Sequence, residues 1–320
     1  NSLKGFHKQF EYQPIIENKK LLKKRSEFIV CGMGGSGLAA KLFKVWQPSF
    51  AITTHQNYGL PEISTAKLKK SLIILSSYSG NTEETLDALA QARKKKLAML
   101  VVAAGGKLLE LAQKHKVPYI RIPNTGVQPR VATGFSFLAL LKAVGEDKTL
   151  KNSAKLSKLL CSREIETLGK DLAEKLKNKI PIIYASLKNA PMAQNWKIKF
   201  NETAKIPAFY NFLPELNHNE MTGFDVAPST QNLSLKFMTI ILYDKTDHLR
   251  IRRRMDILKQ VLEKRGLPVE LVSINGLNIL HKIFATLLMA DWAAYTLANF
   301  YGVDHTNVPM VEEFKKMISH

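Results

Sequence analysis

Acidic residues are scarce in this chain and cysteines scarcer still. Only 27 aspartates and glutamates stand against 47 lysines and arginines, a formal net charge of +20 at pH 7. The positive residues come in small groups, at 19–25, 67–70, 93–96, 175–179 and 250–254, mostly on the polar sides of expected helices. No helix-turn-helix unit, zinc-finger spacing or aromatic-studded RNA-binding strand accompanies them, so they read as solvated faces and no nucleic-acid partner is expected. A positive field does raise the encounter rate with small anions. The two cysteines, Cys31 and Cys161, form no CxxC or Cys/His pattern; Cys31 ends an apolar run and reads as a core thiol in a reducing cytoplasm. The eight histidines show no HxH or HExxH spacing, so no metal and no other cofactor is expected. No signal-peptide pattern is seen, and no apolar run approaches the roughly 20 residues of a membrane span, so no membrane association is expected either.

What is present is an ordinary globular balance, with 45% hydrophobic and 23% charged residues over 320 positions, enough for two domains. In the first half, strands are expected at 28–31, 51–55, 72–76, 98–103 and 119–122, alternating with helices at 38–46, 82–96, 107–116 and 132–144. The stretch 145–162 is polar and lysine-rich and reads as a junction or a solvent-exposed helix. The rhythm then repeats, with strands at 180–185, 208–210, 235–243 and 269–273 and helices at 190–203, 247–265 and 280–301. Alternation of this kind predicts an α/β chain of two similar domains, 1–150 and 151–320, each a mostly parallel sheet covered by helices on both faces.

Two loops carry the chemistry. FIVCGMGGSG (28–37) and LIILSSYSGNTEET (72–85) each run from a buried strand through a turn of small residues into a helix. Free backbone N–H groups and the helix dipole make such a turn an anion site. Gly32, Gly34 and Gly37 satisfy GxGxxG, the dinucleotide fingerprint, yet no Asp or Glu occurs between Glu27 and Glu62 to hold ribose hydroxyls. No Arg lies between Arg25 and Arg93 to take a 2′-phosphate, and the loop lacks the GK[ST] ending of a P-loop. The second loop offers Ser76, Ser77, Ser79, Thr82 and Thr85, hydroxyls able to surround a phosphomonoester. The competing reading is helix capping by Ser79 or Asn81, with Glu83 and Glu84 complementing the dipole.

GMGGSG followed by SYSGNTEET resembles the sugar isomerase (SIS) domain. VQPRVATG (127–134), NWKIKFNETAKIPAF (195–209) and PELNHNE (214–220) narrow that resemblance to the bifunctional phosphoglucose/phosphomannose isomerase family. The resemblance implies two SIS domains of flavodoxin-like α/β/α architecture, a sugar-phosphate substrate, and aldose–ketose isomerisation through a cis-enediol without a cofactor. Gly34, Gly35, Ser36, Ser77, Ser79 and Thr82 then correspond to the phosphate anchor. Glu202 matches the base that moves a proton between C2 and C1, and Arg130 the cation that offsets charge on the enediolate. His218 matches the ring-opening acid/base, with Asn217, Asn219 and Glu220 able to orient its imidazole. In relatives this histidine reaches the active site of the other subunit, which implies a homodimer. The ending YGVDHTNVPMVEEFKKMI matches Thr306 to the residue that leaves room for either C2 epimer and Lys315 to a lysine assisting ring opening, although Asn307 stands where the family often has Pro. Other uses of such domains are a non-catalytic sugar-phosphate sensor or another SIS enzyme such as a deglycase.

Overall fold

A continuous apolar run marks a strand covered on both faces, and amphipathic runs between such strands supply the covering helices. The protein, a computed structural model describing residues 3–318, follows that logic twice. It divides into two compact units. One comprises the residues up to Cys161 together with Asn278–Phe284; the other comprises Ser162–Leu277 and the residues from Ala285 onward.

In the first unit β1 (Glu27–Cys31), β2 (Ile52–His55), β3 (Ser71–Ser77), β4 (Ala98–Ala103) and β5 (Tyr119–Arg121) form a parallel sheet in the order β2-β1-β3-β4-β5. Phe28 faces Ile52 on one side and Leu72 on the other, and Leu72 faces Ala98. β3 is buried over its whole length, as the run SLIILSS requires. On one face Ile29, Ile73, Leu75 and Val101 pack with Ala88, Leu89 and Leu108. An aromatic cluster strengthens the rest of the unit: Phe43 lies 4.8 Å from Phe137, Phe137 5.4 Å from Phe284, and Phe10 4.7 Å from Phe284. The strand order reverses between β1 and β3, and ligands of such sheets bind outside the strand ends at that point. Both small-residue loops emerge there.

In the second unit β6 (Ile180–Ser186), β7 (Phe209–Leu213), β8 (Phe237–Tyr243) and β9 (Val269–Ser273) form a parallel sheet in the order β7-β6-β8-β9. Ile182, Tyr184 and Ile241 pack with Met255, Leu258 and Leu262 of helix Leu249–Glu263. The two parallel sheets bear out the expected fold class.

Several local expectations are corrected. The segment 145–162, expected as a junction or a solvent-exposed helix, does end where the two units divide, but its helices Asp147–Ser153 and Leu156–Leu159 bury Leu150 and Leu156, and Leu160 is buried as well. The helix expected over 190–203 is α-helical only at Ala190–Lys199 and continues as a π-helical turn, Phe200–Ala204. A further correction concerns apolar length. Helix Ile279–Tyr301, 23 residues, is long and apolar enough to cross a membrane, but 67% of its apolar window is buried inside the chain. It also carries Asp291, 2.6 Å from the ammonium of Lys199, both side chains almost fully buried. It is a core helix whose surroundings replace lipid.

Candidate active site

In the first unit, β1 ends at Cys31, whose thiol burial pushes up to about 12, so it stays protonated in the core. Close approach dictates the next residues. A Cβ on Gly32 would lie 2.4 Å from the carbonyl oxygen of Ser76, and one on Gly35 2.6 Å from that of Pro129. Glycine here lets the first loop touch both the second loop and the turn carrying Arg130. Gly34, at φ +48°, opens helix Gly34–Trp46, and the preceding Met33 supplies no side-chain cap. The first N–H groups of that helix therefore lack a capping side chain, the condition under which an anion binds.

The second loop is not a capping device for its own helix. Thr82 is the N-cap of helix Glu83–Lys94 yet its side chain makes no cap bond. Its hydroxyl instead pairs with that of Ser77 at 2.7 Å, and Ser77 Oγ also accepts from the N–H of Gly80 at 3.1 Å. Ser79 Oγ accepts from Asn81 N, while Asn81 Oδ1 accepts from Lys107 N in the first turn of the neighbouring helix Gly106–Lys114. The reading of Ser79 or Asn81 as caps of Glu83–Lys94 thus fails. Ser36 Oγ accepts from the backbone N–H of Tyr78 at 3.1 Å, joining the two loops. Of the five hydroxyl residues of the second loop, Ser76 and Thr85 are buried and their hydroxyls have no partner. Ser77 is buried as well, whereas Ser79 is exposed and Thr82 partly so.

Arg130 sits in the turn before helix Thr133–Val144 and is only 4% exposed. The turn is closed by Val131 N donating to Gln128 O at 2.9 Å and held from outside by Gln9. Gln9 donates to Val131 O at 2.9 Å and accepts from Phe135 N at 3.2 Å. Nothing in the sequence around Gln9 signals this role, because its partners are more than 120 residues away.

In the second unit, Glu202 is partly buried within the π-turn Phe200–Ala204. Such single-turn insertions recur at functional sites. Lys205 ends the turn at φ +56° and donates to the backbone carbonyls of Glu202 and of Asn307, the latter at 2.5 Å. Glu202 and the segment of Thr306 are brought together in this way. Thr306 belongs to a tight turn in which the Asp304 carboxylate accepts from Thr306 N at 2.7 Å. That bond, with further ones from Asn307 and the charge of Lys205, holds the Asp304 carboxyl below its ordinary range.

His218 ends the 3₁₀ turn Glu215–His218 that follows β7, and it is exposed. Its polar neighbours do not orient it. Asn217 accepts from Arg254, Asn219 donates to Glu215 and accepts from Glu220 N, and Glu220 accepts from Tyr184 Oη at 2.6 Å and from Asn211. Burial, reinforced by the Glu220 carboxylate, raises the Tyr184 pKa and keeps that hydroxyl a donor. The neighbours fasten the loop to β6 and β7 and leave the imidazole to solvent. Lys315 lies on helix Pro309–Ile318, none of whose residues is buried, and pairs with Glu312 at 2.8 Å. Among the described residues, no three His, Cys, Asp or Glu side chains gather so as to hold a metal ion.

With these positions in hand, likeness to known proteins becomes specific. Residues 165–318 match the family model "Bacterial phospho-glucose isomerase C-terminal SIS domain". A bifunctional phosphoglucose/phosphomannose isomerase of Aquifex aeolicus is 32% identical over 98% of this chain and 96% of its own. The chain belongs to that family. Another member, from Caldicellulosiruptor bescii, is 33% identical over 91% of this chain and 89% of its own. The fold extends further. The structure of tagatose-6-phosphate ketose/aldose isomerase from Escherichia coli superposes with a TM-score of 0.66 at 15% identity, over 96% of this chain and 90% of that one. Membership makes this chain an isomerase. Sequence reasoning missed Gln9, Lys205 and the Lys199–Asp291 pair. Only Lys199 and Lys205 lay in a motif, and there as unassigned letters of NWKIKFNETAK.

Proposed function

We propose that this isomerase interconverts glucose 6-phosphate and mannose 6-phosphate with fructose 6-phosphate through a cis-enediolate. The observation that carries the reading is the pair of cross-linked loops at the switch point of the first sheet. They present an uncapped helix start and a Ser77–Thr82 hydroxyl pair turned away from capping. An anion-binding cradle of amides and hydroxyls suits a phosphomonoester.

In this reading Gly34, Gly35, Ser36, Ser77, Ser79 and Thr82 hold the phosphate. His218, assisted by Lys315, transfers the protons that open the sugar ring. Glu202 takes the proton from C2 of the open aldose and returns it to C1 of the enediolate, while the O2 proton passes to O1, so one carboxylate serves both carbon steps and is regenerated. Arg130 stabilises the enediolate oxygen, an interaction worth a few kcal/mol where charge develops only in the transition state. Thr306 leaves room for both epimers at C2. The exposure of His218 supports a homodimer in which each histidine serves the partner's site. Two free cysteines, one of them exposed, support a reducing cytoplasm.

The test is Glu202→Gln, assayed with fructose 6-phosphate and with glucose and mannose products measured separately. Turnover falls about 10²–10⁴-fold, as for loss of a general base, while sugar-phosphate binding persists. Near-normal turnover overturns the assignment.

A further inference from the structure

Lys205 is held in an unusual way. Its backbone lies in the left-handed region at φ +56°, which is unfavourable for a side chain with a Cβ. Such a conformation persists where surrounding contacts over-determine it. Here the contacts are two backbone carbonyls 105 positions apart in the chain, those of Glu202 and Asn307, both accepting from the Lys205 ammonium. An ammonium has three donors in rotatable positions, so it can serve both at once, and each bond is charge-assisted. The far end of this clip is itself rigid. Asp304 accepts from Thr306 N at 2.7 Å and from Asn307 Nδ2 at 2.7 Å, which fixes the Asp304–Asn307 turn as one piece. The near end is the π-turn that carries Glu202.

We propose that Lys205 is a positioning residue for the isomerisation: it sets the register of the Glu202 carboxylate against Thr306. Through that register it governs how the enediolate partitions between the two C2 epimers. The inference rests on the function proposed above. A single base protonates C2 on whichever face of the enediolate is turned toward it, and the room beside C2 decides which face that is. Lys205 bonds both elements, so moving one against the other alters rate and stereochemical outcome together.

The test compares wild type, Lys205→Met and Lys205→Arg with fructose 6-phosphate, reading kcat, KM, melting temperature and the ratio of glucose 6-phosphate to mannose 6-phosphate formed. In Lys205→Met kcat falls about 10–100-fold, the loss expected when a catalytic group shifts by about 1 Å, KM stays within about twofold, and the product ratio changes. Arginine, which keeps several donors, restores most of the rate and the ratio. The ratio does not depend on how much of the variant is folded, so it remains readable if Lys205→Met is unstable. An unchanged ratio in Lys205→Met, or a loss that arginine does not repair, overturns the proposal. A wild-type protein that makes neither product from fructose 6-phosphate overturns the isomerase reading itself, a result distinct from any change among the variants.

Discussion

Gly35 and Pro129 meet backbone to backbone: a Cβ on Gly35 would stand 2.6 Å from the Pro129 carbonyl oxygen. The first small-residue loop is thereby seated against the turn that carries Arg130. Gly35→Ala must push that turn away, because the obstacle is main chain and cannot swing aside. Overpacking of this kind costs about 1–3 kcal/mol. The expected outcome is a lower urea midpoint together with a reduced kcat. Gly34→Ala serves as the comparison. Nothing lies within 4 Å of its Cβ, and only its φ of +48° opposes substitution, so its cost is the left-handed strain of about 1–2 kcal/mol without displacement of Arg130.

The Ser77–Thr82 bond makes a separate prediction. Thr82→Val keeps the shape of the N-cap residue and removes only its hydroxyl, which makes no cap bond. Stability should fall by about 1 kcal/mol or less, the net worth of one hydrogen bond. If the hydroxyl pair holds phosphate, KM for fructose 6-phosphate rises about 5–10-fold, an affinity change of about 1–1.4 kcal/mol. Thr82→Ser restores it. Steady-state kinetics on the three proteins distinguish this from a purely structural loss, in which KM stays constant.

Lys199 and Asp291 form an almost fully buried ion pair at 2.6 Å. Lys199→Met leaves the Asp291 carboxylate buried without its counter-charge, a change that costs about 3–5 kcal/mol. The double variant Lys199→Met, Asp291→Leu removes both charges and recovers most of that loss, since two apolar side chains of similar volume need no desolvation. Chemical denaturation of single and double variants checks both statements. Lys199 is the last α-helical residue before the π-turn of Glu202, so the single variant also lowers kcat at temperatures where it remains folded.

Much of the fold was legible in the sequence. The runs FIVC and LIIL read as buried strands, and the parallel order follows from their alternation with helices. The small-residue turns after them read as anion loops for the same local reason. At other positions the chain misled. Asn81 precedes helix Glu83–Lys94 and reads as its cap, yet it bonds the backbone of Lys107, 26 residues on. FNETA has nothing that forbids an α-helix, and its π-turn leaves no mark in the apolar period. His218 stands among side chains suited to orient it, but each has a stronger claim elsewhere, Glu220 on Tyr184 above all. Helix Ile279–Tyr301 shows the converse. Its composition alone would suit a membrane, and packing within the chain makes it core.

By itself the sequence determined the alternation of strands and helices, the two parallel sheets and the place of the two small-residue loops. Those features rest on periodicity and turn chemistry within about ten residues, where neighbours in sequence are neighbours in space. Tertiary structure alone decided that Ser77 and Thr82 pair their hydroxyls, that Gln9 holds the Arg130 turn, and that Lys205 ties Glu202 to the Thr306 segment. A donor or acceptor takes whichever partner the fold brings near, and for Gln9 and Lys205 such a partner stands more than a hundred residues away.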